Sequence, residues 1–215
     1  MTTSKRPTTE ETRIHRLENI LERLDIEKLF PKAQPVEVEL GAGDGSFLVQ
    51  YAERHPDRNF VGLERLLGRL RKIDRKSRRA GLVNVLLIRL EAAYFLEFLL
   101  PPVSIDALHI YFPDPWPKRK HRKNRLIDAR FTGLAAAALK PAGLVYLRTD
   151  DMDYFQQMTE VFSTASQFCL TETPAELSEV MTDFERNFHA RGISTLRAAY
   201  QLREAAQGSP AGAKT

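Results

Sequence analysis

The chain is predicted to be an α/β protein with a mostly parallel sheet covered by helices on both faces. Short β-type runs alternate with amphipathic helical stretches along most of its length. The connections between them are short, as in successive βαβ units. The first clear strand run, 36–40 (VEVEL), passes straight through Gly41-Ala42-Gly43-Asp44-Gly45 into a helical stretch. Glycines at such a turn let the backbone tighten and let a ligand approach closely.

Taken in order, residues 9–29 carry Ile14, Leu17, Leu21, Leu24 and Ile26 near helical spacing, which predicts an N-terminal helix. Strands are predicted over 36–40, 59–63, 83–89, 105–112 and 144–149. Helices are predicted near 45–54, 66–80, 92–99, 124–139 and 151–163, the fourth stopped by Lys140-Pro141-Ala142-Gly143. The runs near 166–171 and 194–202, with no long helix between them, are expected to close the sheet as antiparallel strands. Residues 1–8 and 205–215 are small, polar and bear Pro or Gly, and are expected to be disordered. No linker or repeat interrupts 9–204, so a single domain is expected; 215 residues suffice for one buried core.

An apolar content of 43% and a charged content of 28% are ordinary for a soluble globular protein. The net charge of +4 is unevenly spread. Residues 65–79 hold eight Lys/Arg, and residues 118–125 hold six more with His121. One such cluster is commonly a solvated face; two in one small domain point toward nucleic acid. The sole cysteine, Cys169, excludes an internal disulfide and a thiolate-zinc site, and no metal is expected. The N-terminal residues have no apolar signal region and no run approaches the length of a membrane span. A cytoplasmic protein without a membrane partner is expected.

The segment 110–118 (IYFPDPWPK) is the most unusual in the chain. Pro113, Pro115 and Pro117 fix φ and lack an N–H, so the stretch can be neither helix nor central strand. It presents Asp114 and the only tryptophan, Trp116, directly before the cationic block. A stiff loop with an acid, a flat aromatic ring and clustered cations suits a polyanion with one base under chemical attack.

Three acids stand at strand ends: Glu39 before the glycines, Glu64 after the second strand and Glu91 after the third. Glu39 and Asp44 crowd the glycine turn, which opposes a diphosphate there. The spacing is also not the G-x-G-x-x-G of dinucleotide folds, and no G-x-x-x-x-G-K-[ST] phosphate loop occurs. S-adenosylmethionine, with a ribose, an ammonium and a cationic sulfonium but no phosphate, suits an acidic pocket.

At this point the chain resembles a known family. The motifs are E-L-G-A-G-D-G at 39–45, G-L-E-R at 62–65, F-P-D-P-W-P-K at 112–118 and H-R-K-N-R at 121–125. They continue with T-D at 149–150 ahead of Tyr154 and T-D-F-E-R at 182–186. Over about residues 35–201 they resemble the bacterial tRNA (guanine-N7)-methyltransferases. The resemblance implies a Rossmann-like class I fold with a seven-stranded, mostly parallel sheet, S-adenosylmethionine as cofactor and tRNA as partner. The implied product is 7-methylguanosine at position 46 of the variable loop, made by a monomer or homodimer.

Carried over by motif position, Glu39, Gly41, Gly43, Glu64, Glu91 and Asp114 are expected at the methyl donor. Asp114 is also the expected catalytic residue, accepting guanine N–H bonds or offsetting charge that grows on the ring. Lys118, Asp150, Thr182, Asp183, Phe184 and Glu185 are expected at the target nucleotide. Arg119, Lys120, His121, Arg122, Lys123 and Arg125 are expected on phosphates. Glu91 replaces a usual Asp, Asp183 a usual Lys or Arg, and Asn124 interrupts the usual basic ending. The competing readings are a methyltransferase acting on a protein or small molecule, a non-catalytic RNA-binding module and, disfavoured by its glycine spacing, a nicotinamide oxidoreductase.

Overall fold

A computed structural model describes residues 11–204. The expected disordered ends, 1–8 and 205–215, lie outside the described residues. The strands are β1 (Ile14–His15), β2 (Val36–Leu40), β3 (Asn59–Leu63), β4 (Val85–Ile88), β5 (Ile105–Tyr111), β6 (Leu139–Thr149), β7 (Phe168–Thr171) and β8 (Leu196–Leu202). They form one sheet in the order β1-β4-β3-β2-β5-β6-β8-β7. β1 to β6 pair in parallel, and β8 runs antiparallel between β6 and β7. The sheet thus has eight strands among the described residues rather than the seven expected.

The added strand is also where the N-terminal expectation fails. Over the described part of 9–29 there is no long helix: Ile14–His15 pairs with Leu87 and Ile88, and only Ile26–Leu29 forms a 3-10 turn. The open edge of β4 offers backbone partners that a helix would leave unmet. Asp74 fixes the segment, accepting from the Arg13 N–H at 2.6 Å and the Thr12 hydroxyl at 3.1 Å. Leu17 and Leu24 pack on the core singly while Leu21 is 82% exposed, so the apolar spacing marks separate plugs rather than one stripe.

Period-two alternation divides the sheet into two unlike faces. Val36, Val38, Leu40, Val61, Leu63, Leu108, Ile110, Val145 and Leu147 join the larger, purely apolar core. Helices α3 (Ala92–Tyr94, continued by a π-helical turn Phe95–Leu99), α4 (Ala129–Ala138) and α5 (Met152–Thr164) cover it. The opposite face lies under α1 (Ser46–Arg54) and α2 (Leu67–Arg79) and carries Glu37, Glu39, His109, Tyr111, Tyr146 and Arg148. These polar groups are largely satisfied among themselves. His109 sits 2.6 Å from a Glu37 oxygen and 2.8 Å from the Tyr111 hydroxyl, and Arg58 donates to Glu37 at 2.8 Å. Burial alone would raise the Glu37 carboxyl; the His109 and Arg58 contacts hold it below its ordinary range.

Two boundaries moved for local reasons. The helix expected over 124–139 begins at Ala129, capped by Asp128, and residues 119–124 form a 3-10 helix of their own. β6 starts at Leu139, ahead of the expected 144, with Ala142 at φ 61° where the strand bends. Between β7 and β8 lie two short helices, α6 (Ala175–Glu179) and α7 (Asp183–His189). Among the described residues no helix is long and apolar enough to cross a membrane.

Candidate active site

The carboxyl ends of the parallel strands open onto two adjoining cavities of about 450 and 460 Å³. Gly41, Arg69, Tyr111, Phe112, Pro113 and Asp114 line both. The glycine turn shapes one wall, with Gly41, Gly43 and Gly45 at φ 82°, 56° and 74°. Gly45 is required twice over. Its backbone is left-handed, and a Cβ would lie 2.8 Å from the Ile73 side chain of α2.

Glu39, at the end of β2, lines the first cavity and is 4% exposed. Its Oε2 has no hydrogen-bond partner. Burial pushes its carboxyl up to about 8; Asp44 and Glu64 push the same way and Arg148 opposes them. Asp44 itself makes ion pairs with Lys76 at 2.9 Å and Lys72 at 3.5 Å. Burial notwithstanding, the Lys76 hydrogen bond holds Asp44 well below the usual carboxylate range. The Asp44 charge is thus largely answered by α2, while Glu39 stands as a protonated carboxyl that a cation beside it would ionise.

This sets a pH dependence of stability. The native Glu39 carboxyl keeps its proton up to about 8, whereas the unfolded chain releases it near the ordinary 4.5. In that window the native state binds more protons, so stability falls as pH rises through it. Glu39→Gln is expected to flatten this slope and to raise the melting temperature above pH 8. Melting curves from pH 5 to 9 check it; equal slopes in both proteins would remove Glu39 as the source.

Glu64 and Glu91 line the second cavity with Trp116 and Asn124. Glu64 accepts from the Leu66 N–H at 2.7 Å, with Arg69 4.0 Å away. Glu91 caps α3, accepting from the N–H groups of Ala93 (3.1 Å) and Tyr94 (2.9 Å).

The proline loop crosses between the cavities. Phe112 (φ 50°) and Trp116 (φ 44°) hold left-handed backbone, a strained form that persists where surroundings enforce it. Phe112 is tied by its N–H to the Arg148 carbonyl at 2.8 Å, and the loop beyond it is tied by Arg125. The Arg125 guanidinium donates to the Pro115 carbonyl (2.7 Å), Gln157 (2.7 Å) and Asp153 (2.5 Å), and lies 4.7 Å from the Tyr154 ring centre. Arg125 is thus buried and fully engaged, and it leaves the expected phosphate-contact set; a planar fork meeting three acceptors makes it a clamp. The Asp114 side chain, between Pro113 and Pro115, is exposed and accepts no hydrogen bond from the described residues. It does not cap the turn; its oxygens are free for a ligand.

Of the block's other cations, Arg122 pairs with Asp153 at 2.8 Å and His121 meets Trp116 edge-on. Lys118, Arg119, Lys120 and Lys123 are exposed; Lys118 is not on either cavity's wall.

Thr182 and Phe184 line the first cavity, as does Asp150, whose side chain has no hydrogen bond or ion pair among the described residues; Asp151, one residue on, caps α5. Of the other two expected contacts of the T-D-F-E segment, Glu185 is corrected and Asp183 lies at the exposed start of α7. Glu185 is 0% exposed and completes a capping box with Thr182. It also accepts from Arg148 and Arg197, each at 2.9 Å. Asp183 pairs with Arg186, and its N–H donates to Ser46 at 3.0 Å. Neither lines a cavity; both hold α7 in place so that Phe184 and Phe188 form an aromatic wall with Phe112.

The sequence reading missed Arg148, whose guanidinium lies 4.1 Å from the Tyr111 ring centre and which also donates to the Val180 and Leu177 carbonyls. The signal was present: an arginine in the apolar run LVYLRT, in a buried strand, must have a partner.

A family model described as a putative methyltransferase matches residues 33–198. A protein of Halorhodospira halophila, named tRNA (guanine-N(7)-)-methyltransferase, is 32% identical over 185 residues, spanning 84% of this chain and 80% of its own. The chain belongs to this family. A Thermotoga maritima member of the same name is 32% identical over 173 residues, 80% of this chain; the chain spans 55% of that relative's length. Among solved structures, the 16S rRNA methyltransferase KamB superposes with a TM-score of 0.63 at 19% identity, covering 85% of this chain and 95% of that one. That likeness shows the fold alone, a Rossmann-like class I methyltransferase.

Proposed function

We propose that the protein transfers a methyl group from S-adenosylmethionine to N7 of a guanine in tRNA, at the variable-loop position 46. The observation that carries this reading is the Asp114 carboxylate, held rigidly between two cavities with no partner of its own. One cavity must hold a cationic donor, and the chain fits it. Glu39 offers a buried, orphaned acceptor beside the glycine turn, with Glu64 and Glu91 on the neighbouring wall. An unmet buried acceptor is costly, and an ammonium or sulfonium beside it would lower that cost and favour the ionised carboxylate.

When bound, the donor supplies a methyl carbon activated by a positive sulfur. Guanine N7 is a lone pair without a proton, so no strong general base is required. The chain's work is alignment and charge. Phe112, Phe184 and Phe188 provide a face on which an unstacked base can lie. Asp114 offsets the positive charge the ring gains as N7 takes the methyl group, and Asp150 adds a second free carboxylate. Lys118, Arg119, Lys120 and Lys123 hold phosphates without reading sequence. The cytoplasm, where tRNA is found, is the expected location.

Incubating the protein with unmodified tRNA and the donor, then analysing nucleosides by mass spectrometry, tests the reading. A single 7-methylguanosine in the variable loop is expected. Methyl groups on another atom, or none in the RNA, would overturn it.

A further inference from the structure

The second cationic cluster, 65–79, meets the site described above through Arg65 and Arg69, which line its cavities, and through Lys72 and Lys76, which pair with Asp44; the rest of its arrangement is unusual. Arg71, Arg75 and Arg79 follow one another at i, i+4, i+8, so they form one outward stripe with about 6 Å between neighbours. All three are exposed, and none makes an ion pair or hydrogen bond among the described residues. The other cations of the helix are answered: Lys72 and Lys76 by Asp44, Arg69 by Glu64 and Arg78 by Asp74. The helix's only acid, Asp74, faces away from the stripe, toward Arg13 and Thr12. Like charges at i, i+4 destabilise a helix by roughly 0.2–0.5 kcal/mol per pair, and no carboxylate among the described residues pairs with the three; only Arg79, in the last turn, gains from the helix dipole.

We propose that the Arg71–Arg75–Arg79 stripe is a second RNA-backbone track, separate from the proline-loop block, which grips the same substrate away from the reacting base. The placement supports it. Arg69, two residues before the stripe, lines both cavities, and the stripe begins about 3 Å further along the axis, turned to the outward face, and runs about 12 Å along the helix. A row of unpaired guanidinium groups matches successive phosphates and carries no base specificity. An acidic protein would supply the same charge sign, but the stripe lies on the helix whose first turn, through Leu66 and Arg69, lines the cavities that the target base must enter, and this favours the RNA itself. The inference rests on RNA being the substrate.

The test is direct tRNA binding as a function of salt, with steady-state kinetics beside it. Arg71→Gln, Arg75→Gln and Arg79→Gln combined should lower the slope of log affinity against log salt by about 2, at about 0.7 for each lost contact. KM for tRNA should rise roughly tenfold or more at moderate salt while kcat and donor affinity stay unchanged. The melting temperature should not fall, because the repulsion is removed. The corresponding triple Lys variant, which keeps the charge, should restore most of the affinity. An unchanged salt slope and KM in the Gln variant, or a loss of affinity accompanied by a lower melting temperature, would overturn the track. Failure of the methyl-transfer reading shows differently: the wild-type protein would bind tRNA with the full slope yet make no 7-methylguanosine.

Discussion

Asp114→Ala is expected to reduce kcat for methyl transfer by about 10²–10³-fold, the effect of removing one preorganised charge from where charge develops. Affinity for tRNA should change little, because the phosphate contacts proposed above are exposed cations elsewhere. The structure makes this sharper than a motif could. Asp114 has no hydrogen bond to the described residues, so its loss leaves no buried group unmet and should not unfold the loop, which Arg125 holds through Pro115. Stability and activity therefore separate at this residue. Asp114→Asn keeps the shape and an acceptor oxygen but removes the charge; if charge is the contribution, it should be nearly as slow as the alanine variant with a similar KM. A variant with unchanged turnover would take Asp114 out of the mechanism, and an active Asn variant would replace charge with hydrogen bonding.

The second large effect is on folding. Glu185→Ala is expected to cost about 3–5 kcal/mol, read by urea or thermal denaturation, because it leaves Arg148 buried without its counter-charge. Arg148 and Glu185 are 1% and 0% exposed in their side chains. The same substitution also removes half of the Thr182 capping box and a partner of Arg197. Against a total stability of about 5–15 kcal/mol, such a loss would unfold much of the population or leave α7 loose. Replacing both members of the pair by methionine should recover a large part of it, since a well-packed apolar pair avoids burying charge at all. If Glu185→Ala instead folded normally and lost only tRNA affinity, Glu185 would be a substrate contact, as the resemblance implied.

These two residues show how far sequence reading reaches: the rigid loop that carries Asp114 was expected, while the role of Asp114 is a proposal, and the setting of Glu185 was not foreseen. Asp114 was legible because its neighbours are prolines and its setting is local: three fixed φ angles, an apolar run ending, cations beginning. Glu185 was placed among the substrate contacts because a motif position says nothing about which way a carboxylate turns. Arg125 was grouped with Lys118 to Lys123 for the same reason. Six cations within eight residues look alike, yet one of them folds inward against Gln157, Asp153 and Tyr154 on α5. The N-terminal segment went wrong because apolar spacing cannot register that β4 leaves an edge to be paired.

The alternation of strands and helices, the glycine turn, the acids Glu39 and Glu64 at strand ends and the rigid Asp114 loop were all determined by the amino-acid order. Each depends on backbone sterics, side-chain period or a turn residue acting within a few positions. Only the tertiary structure decided which charges the protein uses internally and which it leaves for a ligand. Arg148 and Glu185 meet across 37 residues, and Arg125 and Asp153 across 28. Pairing of that kind depends on distance and burial between remote segments, which set the cost of leaving a charge alone, and neither quantity is written in the local sequence.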